Sequence, residues 1–327
     1  MKFYINRTVQ SGPWGGGNNF IRAFYEHFHG ARDFDASNVQ DLENGNFKIK
    51  VIKKEPRNVE HTLIDPTDPR ADPDVFLVAG LDNDGICFTV DQALHFKRFL
   101  KPNMKIVLRL NENDARKGTS HLDAKLVKLS ESIDKTVFVS QYLQDYFITK
   151  GWKCKENTVI VNGVDRHVFK SIKHTNEKIS IVVHHWSNNP MKGNDVYEWI
   201  DQDFLTRHGD DFSFTYVGRT QLKFQRSTHV QPLSGKKLGI ELSKHDVYVN
   251  GSRNDPGPNS TIEAIACGLP TYVHVDGGGS VEFAGNDHTF SNFGELERIL
   301  LSKKYIPNVD GFMSWSDCIE KYVEFMI

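Results

Sequence analysis

The sequence predicts an α/β protein with two domains, each an open parallel sheet covered by helices on both faces. Apolar, strand-like segments alternate with amphipathic, helix-like segments along most of the chain, which is typical of this class. The alternation restarts after the polar stretch 173–178, which has the composition of a connection between domains. With 327 residues, the chain is long enough for two units that each bury a core.

Short apolar segments in the first half predict a sheet whose strands are separated by helices. The expected strands cover residues 2–6, 74–79, 105–110, 136–140 and 159–161, and the expected helices cover 90–100, 122–133 and 141–150. Segment 48–54 alternates lysines with apolar residues and predicts an edge strand whose lysines face water. A patch that faces a membrane or an acceptor molecule is the alternative interpretation.

The second half repeats this pattern and ends in an amphipathic helix. Strands are expected at residues 179–183, 212–217, 247–249 and 271–275. The last helix, from about Ser314, carries apolar residues on one face, namely Trp315, Ile319, Tyr322, Val323 and Met326. We therefore expect an N-terminal domain (1–172), a C-terminal domain (173–310) and a terminal helix (311–327) that packs back on the N-terminal domain.

The stretch 255–270 combines a proline-rich loop, a short helix and the residues Gly268 and Pro270, which end that helix. Two prolines and a glycine rule out regular structure before Asn259. Ser260 and Glu263 have the spacing of a capping box, and Gly268 supplies a left-handed cap before the proline that ends the helix. Free backbone N–H groups at the start of such a helix form a binding site for phosphate.

A glycine-rich loop at 11–19 joins the first strand to a helix with apolar residues at helical spacing. Strand, glycine loop and helix are typical of the opening of a nucleotide- or phosphate-binding unit, with the amides of Gly16 and Gly17 as candidate donors. The glycines are contiguous, so this is not a dinucleotide fingerprint. A tight turn that lets the helix pack close to the sheet is the alternative interpretation.

Polar residues follow the expected strand at 105–110 directly. Open α/β sheets place their ligands at the carboxyl ends of parallel strands. Arg109, Glu112 and Asp114 are therefore candidate ligand contacts. The alternative is a simple loop that leads into the next helix.

Composition and the absence of several signals exclude other classes. The net charge of −2 argues against a protein that binds nucleic acid mainly through charge. No apolar run approaches the roughly 20 residues that span a bilayer, and no signal peptide is visible, so we expect a cytoplasmic protein, with peripheral contact to a membrane left open. The cysteines lack metal-ligand or redox spacing and are expected to be reduced core thiols: Cys87, Cys154, Cys267 and Cys318.

Several motifs together resemble the retaining glycosyltransferases of the GT-B fold, family 4. The matching segments are Gly15-Gly16-Gly17, Phe138-Val139-Ser140-Gln141-Tyr142-Leu143, Asn162-Gly163-Val164-Asp165, Lys192-Gly193, Tyr216-Val217-Gly218-Arg219 and the stretch 255–270. The resemblance covers nearly the whole chain, and its last segment is the most specific part. It implies two Rossmann-like domains that face each other across a cleft, with the sugar donor held by the C-terminal one.

The resemblance also implies a role for each candidate residue. Lys192, and after it Arg219, would stabilise the diphosphate that leaves the sugar, and Asp255 would bind a sugar hydroxyl. The expected donor-binding residues are Gly16, Gly17, Ser187, Gly257, Pro258, Asn259, Ser260, Thr261, Glu263 and Glu282. Glu263 would accept hydrogen bonds from the donor ribose. Arg109, Glu112 and Asp114, chosen above from the strand end, would lie on the side of the acceptor and the transferred sugar, where the family often has a histidine and this chain reads Arg109-Leu110-Asn111-Glu112.

Each role has a structural alternative, and two further positions depart from the family pattern. Lys192 also fits a solvated lysine at a helix start, Asp255 a turn-stabilising residue, and Glu263 the capping box alone. The family usually has Glu where this chain has Asp255. It also often has an arginine ahead of the Lys-Gly pair, where this chain has His184-His185-Trp186-Ser187, two of them candidate core histidines.

The expected reaction is hexosyl transfer from a nucleotide-diphosphate sugar to an acceptor hydroxyl, with retention and with neither metal nor cofactor. Asp82-Asn83-Asp84 has metal-binding spacing but lies in an expected turn. A nucleotide-sugar epimerase, a phosphorylase and a non-catalytic nucleotide- or sugar-binding module are the alternatives. The acceptor could be a glycan, a lipid-linked sugar, a protein or a small molecule. The net charge of −2 makes a modified nucleic-acid base a less favoured acceptor than these.

Overall fold

Two parallel sheets of six strands each organise the protein in a computed structural model. It describes residues 1–10, 15–29, 62–63, 72–81, 88–172 and 174–327. The predicted edge strand at 48–54, the turn at 82–84, Cys87 and the first part of the glycine loop lie outside these ranges. The other three cysteines are buried and unpaired, as expected.

The N-terminal sheet has the strand order β2-β1-β3-β4-β5-β6, and all its pairs are parallel. Its strands are β1 (Lys2–Ile5), β2 (Thr62–Leu63), β3 (Val75–Val78), β4 (Lys105–Leu110), β5 (Lys135–Phe138) and β6 (Glu156–Val159). The helices of this half are α1 (Gly16–His29), α2 (Val90–Phe99), α3 (Asp114–Lys117), α4 (Leu122–Leu129) and α5 (Gln141–Thr149). All of β3 is buried, because helices cover both faces of the sheet.

The C-terminal sheet has the order β12-β11-β10-β7-β8-β9, again with parallel pairs. Its strands are β7 (Ile179–His185), β8 (Phe212–Gly218), β9 (Thr228–Val230), β10 (Val247–Asn250), β11 (Thr271–His274) and β12 (Thr289–Phe290). The helices are α6 (Asn194–Trp199), α7 (Leu205–His208), α8 (Gly235–Leu242), α9 (Asn259–Ala266), α10 (Gly279–Ala284), α11 (Phe293–Ser302) and α12 (Trp315–Met326). The strand order reverses between β7 and β10, which creates a crevice at their carboxyl ends.

Helix α12 packs against the N-terminal sheet, although it follows the C-terminal sheet in the chain. The ring of Tyr322 lies 4.7 Å from that of Phe20 on α1. Ser314 caps the helix by accepting a hydrogen bond from the Asp317 N–H at 3.2 Å. The core that α12 joins also contains Phe3 of β1. The first and last parts of the described chain therefore share one core.

Some elements differ from the sequence expectation. β6 covers 156–159 rather than 159–161, because the polar residues before Val159 pair with β5. α4 ends at Leu129 rather than at 133, because the Ser130 hydroxyl bonds the Val127 carbonyl and caps the helix end. The short strands β9 and β12 had too few apolar residues to be predicted. Of the helices that the structure describes, none combines the length and the apolar character that crossing a bilayer requires.

Replacing Gly163 by alanine should undock α12 from the N-terminal domain. A Cβ at this position would lie 2.6 Å from the backbone of Trp315, so the helix start must shift. We expect a loss of about 1–3 kcal/mol of stability, as for other overpacked sites. Thermal unfolding measures it, with Gly311→Ala as the matched control, because a Cβ there meets nothing within 4 Å. Equal melting temperatures for the two variants would contradict this account of the α12 contact.

Candidate active site

A cleft of about 620 Å³ lies between the two domains, at the carboxyl ends of both sheets. Most residues selected from the sequence line it, namely Gly16, Gly17, Arg109, Glu112, Ser187, Lys192, Asp255, Gly257, Pro258, Asn259, Ser260 and Glu263. Four do not belong to the described lining, namely Asp114, Arg219, Thr261 and Glu282. The cleft is thus built from both halves of the chain.

Lys192 and Asp255 form an ion pair inside the cleft, with 2.6 Å between Nζ and Oδ2. Both side chains are largely buried, with exposures of 12% and 7%. Burial lowers the pKa of Lys192 to about 8, which Asp255 opposes and Arg116 reinforces. Burial disfavours the ionised form of Asp255 as well, but Lys192 and Arg116 outweigh it and keep the pKa of this carboxyl below its usual value. Near neutral pH the pair is therefore ionic.

The backbone beside Lys192 is fixed by a close contact between two glycines. Gly193 has φ +92°, and a side chain there would strike the backbone of Gly251, which follows β10. The hydroxyl of Tyr197 accepts from the Gly251 N–H at 3.0 Å and bonds Nε2 of His185 at 2.7 Å. Burial holds the pKa of His185 well below its usual value, so this ring is neutral. His185 is thus a core histidine, and the network holds Lys192 in register with Asp255.

Arg116 is a cleft residue that no sequence pattern indicated. It belongs to α3 of the N-terminal domain, and its Nε lies 3.5 Å from Oδ2 of Asp255 in the C-terminal domain. Only 13% of its side chain is exposed. The contact joins residues from different domains, and no local spacing in the sequence signals it. The sequence placed Arg116 in the loop after β4, which was the available hint.

Helix α9 begins at Asn259, with Pro258 in the N-cap position. The N–H of Thr261 donates to the Pro258 carbonyl at 3.2 Å, which leaves the amides of Asn259 and Ser260 at the open end of the helix among the described contacts. The predicted capping box is wrong, because Pro258 has no side-chain acceptor and Glu263 bonds elsewhere. The predicted left-handed cap at the other end is confirmed, with φ +76° at its glycine.

Gly16, the first residue of α1, faces the start of α9 across the cleft. A Cβ on Gly16 would lie 2.7 Å from Cγ of Asn259, closer than side chains normally approach. The glycine therefore allows the two helix starts to come together from opposite domains. Two N-terminal helix ends that meet in one cleft favour negative charge between them.

Glu263 is held by residues from both domains. Its Oε2 lies 2.9 Å from Nε2 of His184, and its Oε1 accepts from the Asn19 side chain at 3.5 Å. His184 in turn contacts the Tyr248 hydroxyl, 3.2 Å from its Nδ1. The carboxylate is buried yet lines the cleft, so it is positioned before any ligand arrives.

Arg109 is connected to the start of α9 through two asparagines. Its Nη2 donates to Oδ1 of Asn162 at 2.8 Å, and the Asn162 amide donates to Oδ1 of Asn259 at 2.7 Å. The guanidinium stacks over the Phe20 ring at 4.4 Å and is 2% exposed. Because Oδ1 of Asn259 is used as an acceptor, its amide group is left to donate into the cleft. Arg109 thus orients a donor at the helix end.

Asp114 and Arg219 occupy positions that differ from the expected ones. The Asp114 carboxylate accepts the Leu122 and Asp123 N–H groups at 3.0 and 2.9 Å and fixes the start of α4. This use of both oxygens makes it a structural residue rather than a cleft residue. Arg219 is exposed, and its guanidinium lies 5.7 Å from the Trp186 ring, because the chain turns away after β8.

Thr261 and Glu282 also have contacts outside the cleft lining. The Thr261 hydroxyl accepts from the Asn250 amide at 3.0 Å and is fully buried, so it ties α9 to β10. Glu282 accepts the Tyr142 N–H at 3.0 Å and bridges the two domains at the first turn of α5. Both act as structural contacts in this arrangement.

Acidic side chains in the cleft are matched mainly to cations. Glu112 forms an ion pair with Lys117 at the end of α3, and both residues line the cleft. Across the described ranges, histidine, cysteine, aspartate and glutamate nowhere form a group of three or more that would hold a metal ion. The chemistry of the described cleft is that of an anion site with one carboxylate on either side of the α9 start.

The overall structure is similar to several solved glycosyltransferases. HepE from Anabaena, in complex with UDP and glucose, shares 13% identity and a TM-score of 0.67 over 99% of this chain and 98% of its own. Sucrose-phosphate synthase from Thermosynechococcus elongatus shares 12% identity and a TM-score of 0.66, with 99% and 97% covered. The lipopolysaccharide outer core galactosyltransferase WaaB shares 11% identity and a TM-score of 0.61, and both chains are covered completely.

No family model and no curated protein sequence matches the chain. The structural similarity nevertheless extends over whole chains rather than over a single Rossmann-like unit. The similar structures are GT-B glycosyltransferases, and the two sheets described above have the architecture of that fold. The predicted fold class is confirmed: the chain has the GT-B fold, with two parallel-sheet α/β domains that face each other across a cleft.

Proposed function

We propose that the protein is a retaining glycosyltransferase that moves a hexosyl group from a nucleotide-diphosphate sugar to an acceptor hydroxyl. The observation that carries this proposal is the Lys192–Asp255 pair next to the open N-terminus of α9, inside the interdomain cleft. A buried cation and free helix amides suit a diphosphate, and the adjacent carboxylates suit hydroxyl groups. HepE, which has the same fold, binds UDP and glucose, which supports a nucleotide sugar as the donor.

In the proposed reaction the bond between sugar C1 and the β-phosphate oxygen breaks, and its electron pair goes to that oxygen. The transition state resembles an oxocarbenium ion, and negative charge grows on the diphosphate. Lys192 and the amides of Asn259 and Ser260 stabilise this charge, because they are fixed in place before the reaction. The acceptor oxygen bonds to C1 on the face that the leaving group vacates. Its proton passes to the departing phosphate oxygen, so configuration is retained without an enzymic nucleophile or a metal.

The carboxylates of Glu263 and Asp255 bind the hydroxyl groups of the donor, one on the ribose and one on the transferred sugar. Glu263 is held by His184 and Asn19 and accepts hydrogen bonds from the ribose hydroxyls. Asp255 accepts a hydroxyl of the transferred sugar and gives up part of its contact with Lys192 to the incoming phosphate. Because Asp255 is one methylene shorter than the glutamate usual in family 4, this contact draws the sugar closer to the α9 start.

The other cleft residues surround these groups. Ser187, Gly257 and Pro258 line the donor half, while Arg109 and Glu112 line the wall from the N-terminal domain. The acceptor is proposed to enter on the side of that wall. Its class stays open among a glycan, a lipid-linked sugar, a protein and a small molecule.

Replacing Lys192 by alanine should lower kcat about 10²–10³-fold, the loss seen when one fixed group that stabilises developing charge is removed. The donor base is chosen first by thermal-shift screening against UDP, GDP, ADP and CMP, because a bound nucleotide raises the melting temperature. Turnover is then measured as nucleoside diphosphate release. Lys303→Ala is the matched control, since Lys303 pairs with Asp211 outside the cleft lining. Turnover near that of the wild type, epimerisation without transfer or a need for free phosphate would each contradict the proposal.

The value of kcat/KM should fall as the pH rises through about 8. Lys192 stabilises the diphosphate only in its cationic form, and burial lowers its pKa to about 8 in the free enzyme, so the active form is lost above that pH. A pH–rate profile at subsaturating donor measures this limb. The variant Lys192→Arg keeps its charge at all these pH values, and its profile should lack the limb. A wild-type profile that stays flat well above pH 8 would contradict the role of Lys192.

Replacing Glu263 by alanine should weaken UDP binding about tenfold and leave pyrophosphate binding nearly unchanged, if the carboxylate binds ribose. Calorimetric titration of both ligands measures the difference. Lys192→Ala is the opposite control and should weaken both, because its cation contacts the phosphates. An equal loss for UDP and pyrophosphate in Glu263→Ala would show that Glu263 acts through the structure of α9 instead.

A further inference from the structure

We propose that Arg116 is a further catalytic residue, a second cation that binds the leaving diphosphate together with Lys192 and reaches it from the opposite domain. This inference rests on the proposed transferase function. The geometry that supports it is the convergence of both cations on one atom, Oδ2 of Asp255, at 2.6 Å from Lys192 and 3.5 Å from Arg116.

That carboxylate oxygen marks a place where an anionic oxygen is stable in this cleft. Two cations surround one carboxylate, so the cluster of Lys192, Arg116 and Asp255 carries a net charge of +1. A partly buried excess of positive charge costs free energy until an anion enters. The start of α9 lines the same cleft and adds its partial positive charge there. A phosphate oxygen beside Asp255 would satisfy both cations.

Arg116 is held in position by a short helix with fixed ends. The Asn113 side chain caps α3 by accepting the Arg116 N–H at 2.7 Å. Asp114 and Asp123 then join the start of α3 to the start of α4, since the Asp114 N–H donates to Asp123 at 2.8 Å and the Asp123 N–H donates to Asp114 at 2.9 Å. A guanidinium on such a support is pre-organised, which is what stabilisation of developing charge requires.

The same helix is attached to the donor domain beside Lys192. The Asn113 amide donates to the Asn254 carbonyl at 3.4 Å, next to Asp255 in the chain. The Asn189 amide, in the loop that leads to Lys192, donates to the Lys117 carbonyl at 3.5 Å. These contacts place Arg116 against the part of the C-terminal domain that holds the proposed phosphate site.

This placement accounts for a gap in the sequence pattern. The arginine that family 4 often carries ahead of its Lys-Gly pair is absent, and Arg219, the expected substitute, is exposed and directed to Trp186. Arg116 supplies the guanidinium from the N-terminal domain instead. The full positive charge then exists only when the two domains are closed on each other, so charge stabilisation and domain closure become one event.

The test compares Arg116→Gln and Arg116→Lys with the wild type in three measurements: UDP affinity by calorimetry, kcat at saturating donor, and the pH profile of kcat/KM. We expect Arg116→Gln to lose about ten- to hundredfold in UDP affinity and in kcat, as for a charge-assisted contact to phosphate. The UDP affinity and kcat of Arg116→Lys should lie between those of the wild type and Arg116→Gln. In Arg116→Gln the alkaline limb should also move to higher pH, because Arg116 contributes to the lowered pKa of Lys192.

A matched control separates chemistry from domain contact. Tyr142→Phe removes another hydrogen bond between the domains, from the Tyr142 hydroxyl to Oδ1 of Asn254 at 3.2 Å, without changing a charge in the cleft. If Arg116→Gln behaves like Tyr142→Phe in all three measurements, Arg116 is only an interdomain contact and the proposal is overturned. Thermal unfolding of each variant shows whether a loss of affinity or of kcat reflects misfolding. If Arg116→Gln is misfolded, the same three measurements on Arg116→Lys decide whether Arg116 acts on the diphosphate.

The proposed function and this inference fail in different ways. Wild-type protein that binds UDP but turns over no nucleotide sugar overturns the transferase, while UDP affinity still reports on Arg116. Unchanged UDP affinity and unchanged kcat in Arg116→Gln overturn the inference alone. Wild-type protein that binds neither UDP nor pyrophosphate overturns both.

Discussion

One carboxylate oxygen, Oδ2 of Asp255, connects the two halves of this molecule. It lies on the loop after β10, accepts Lys192 from its own domain and meets Arg116 from the other. Buried ion pairs contribute little net stability, because desolvation offsets attraction. Their value here is geometric: the oxygen fixes the distance between two cations on separate domains. The contact between Gly193 and Gly251 fixes the backbone beside Lys192, and the capped helix α3 fixes the backbone of Arg116. Both therefore help to hold the two cations at this distance.

Much of the fold was predictable, because hydrophobic periodicity reports burial directly. β4 and the start of α2 appear where the pattern placed them, and α12 begins directly after its serine cap. The helix at 259–266 was also found, but its cap was not, since the choice between Pro258 and Ser260 depends on backbone angles that the preceding loop imposes. Strands of only two or three residues, such as β9 and β12, are too short to give a periodic signal and were missed.

The site was predictable to the extent that its residues are contiguous in sequence. The stretch around α9 and the Lys-Gly pair carry local signatures, and both line the cleft. Arg116 has no such signature, because its meaning comes from a residue in the other domain. Arg219 illustrates the reverse error: it directly follows a strand end, yet it is exposed and does not line the cleft, and its guanidinium lies beside the ring of Trp186, which does. The ends of the strands predict where in the fold the site lies. The geometry of the turn after each strand decides which side chains line that site.

The packing of α12 on the first elements of the chain has a consequence for biosynthesis. Phe3, Phe20 and Phe24 belong to a core that is completed by Ile319 and Met326. During translation this core lacks its α12 residues until residues 315–326 have left the ribosome. The C-terminal domain, whose core does not include α12, is free to fold first, although it is made second. The N-terminal core that contains Phe3 and Phe20 is therefore completed only after the C-terminal domain has been made.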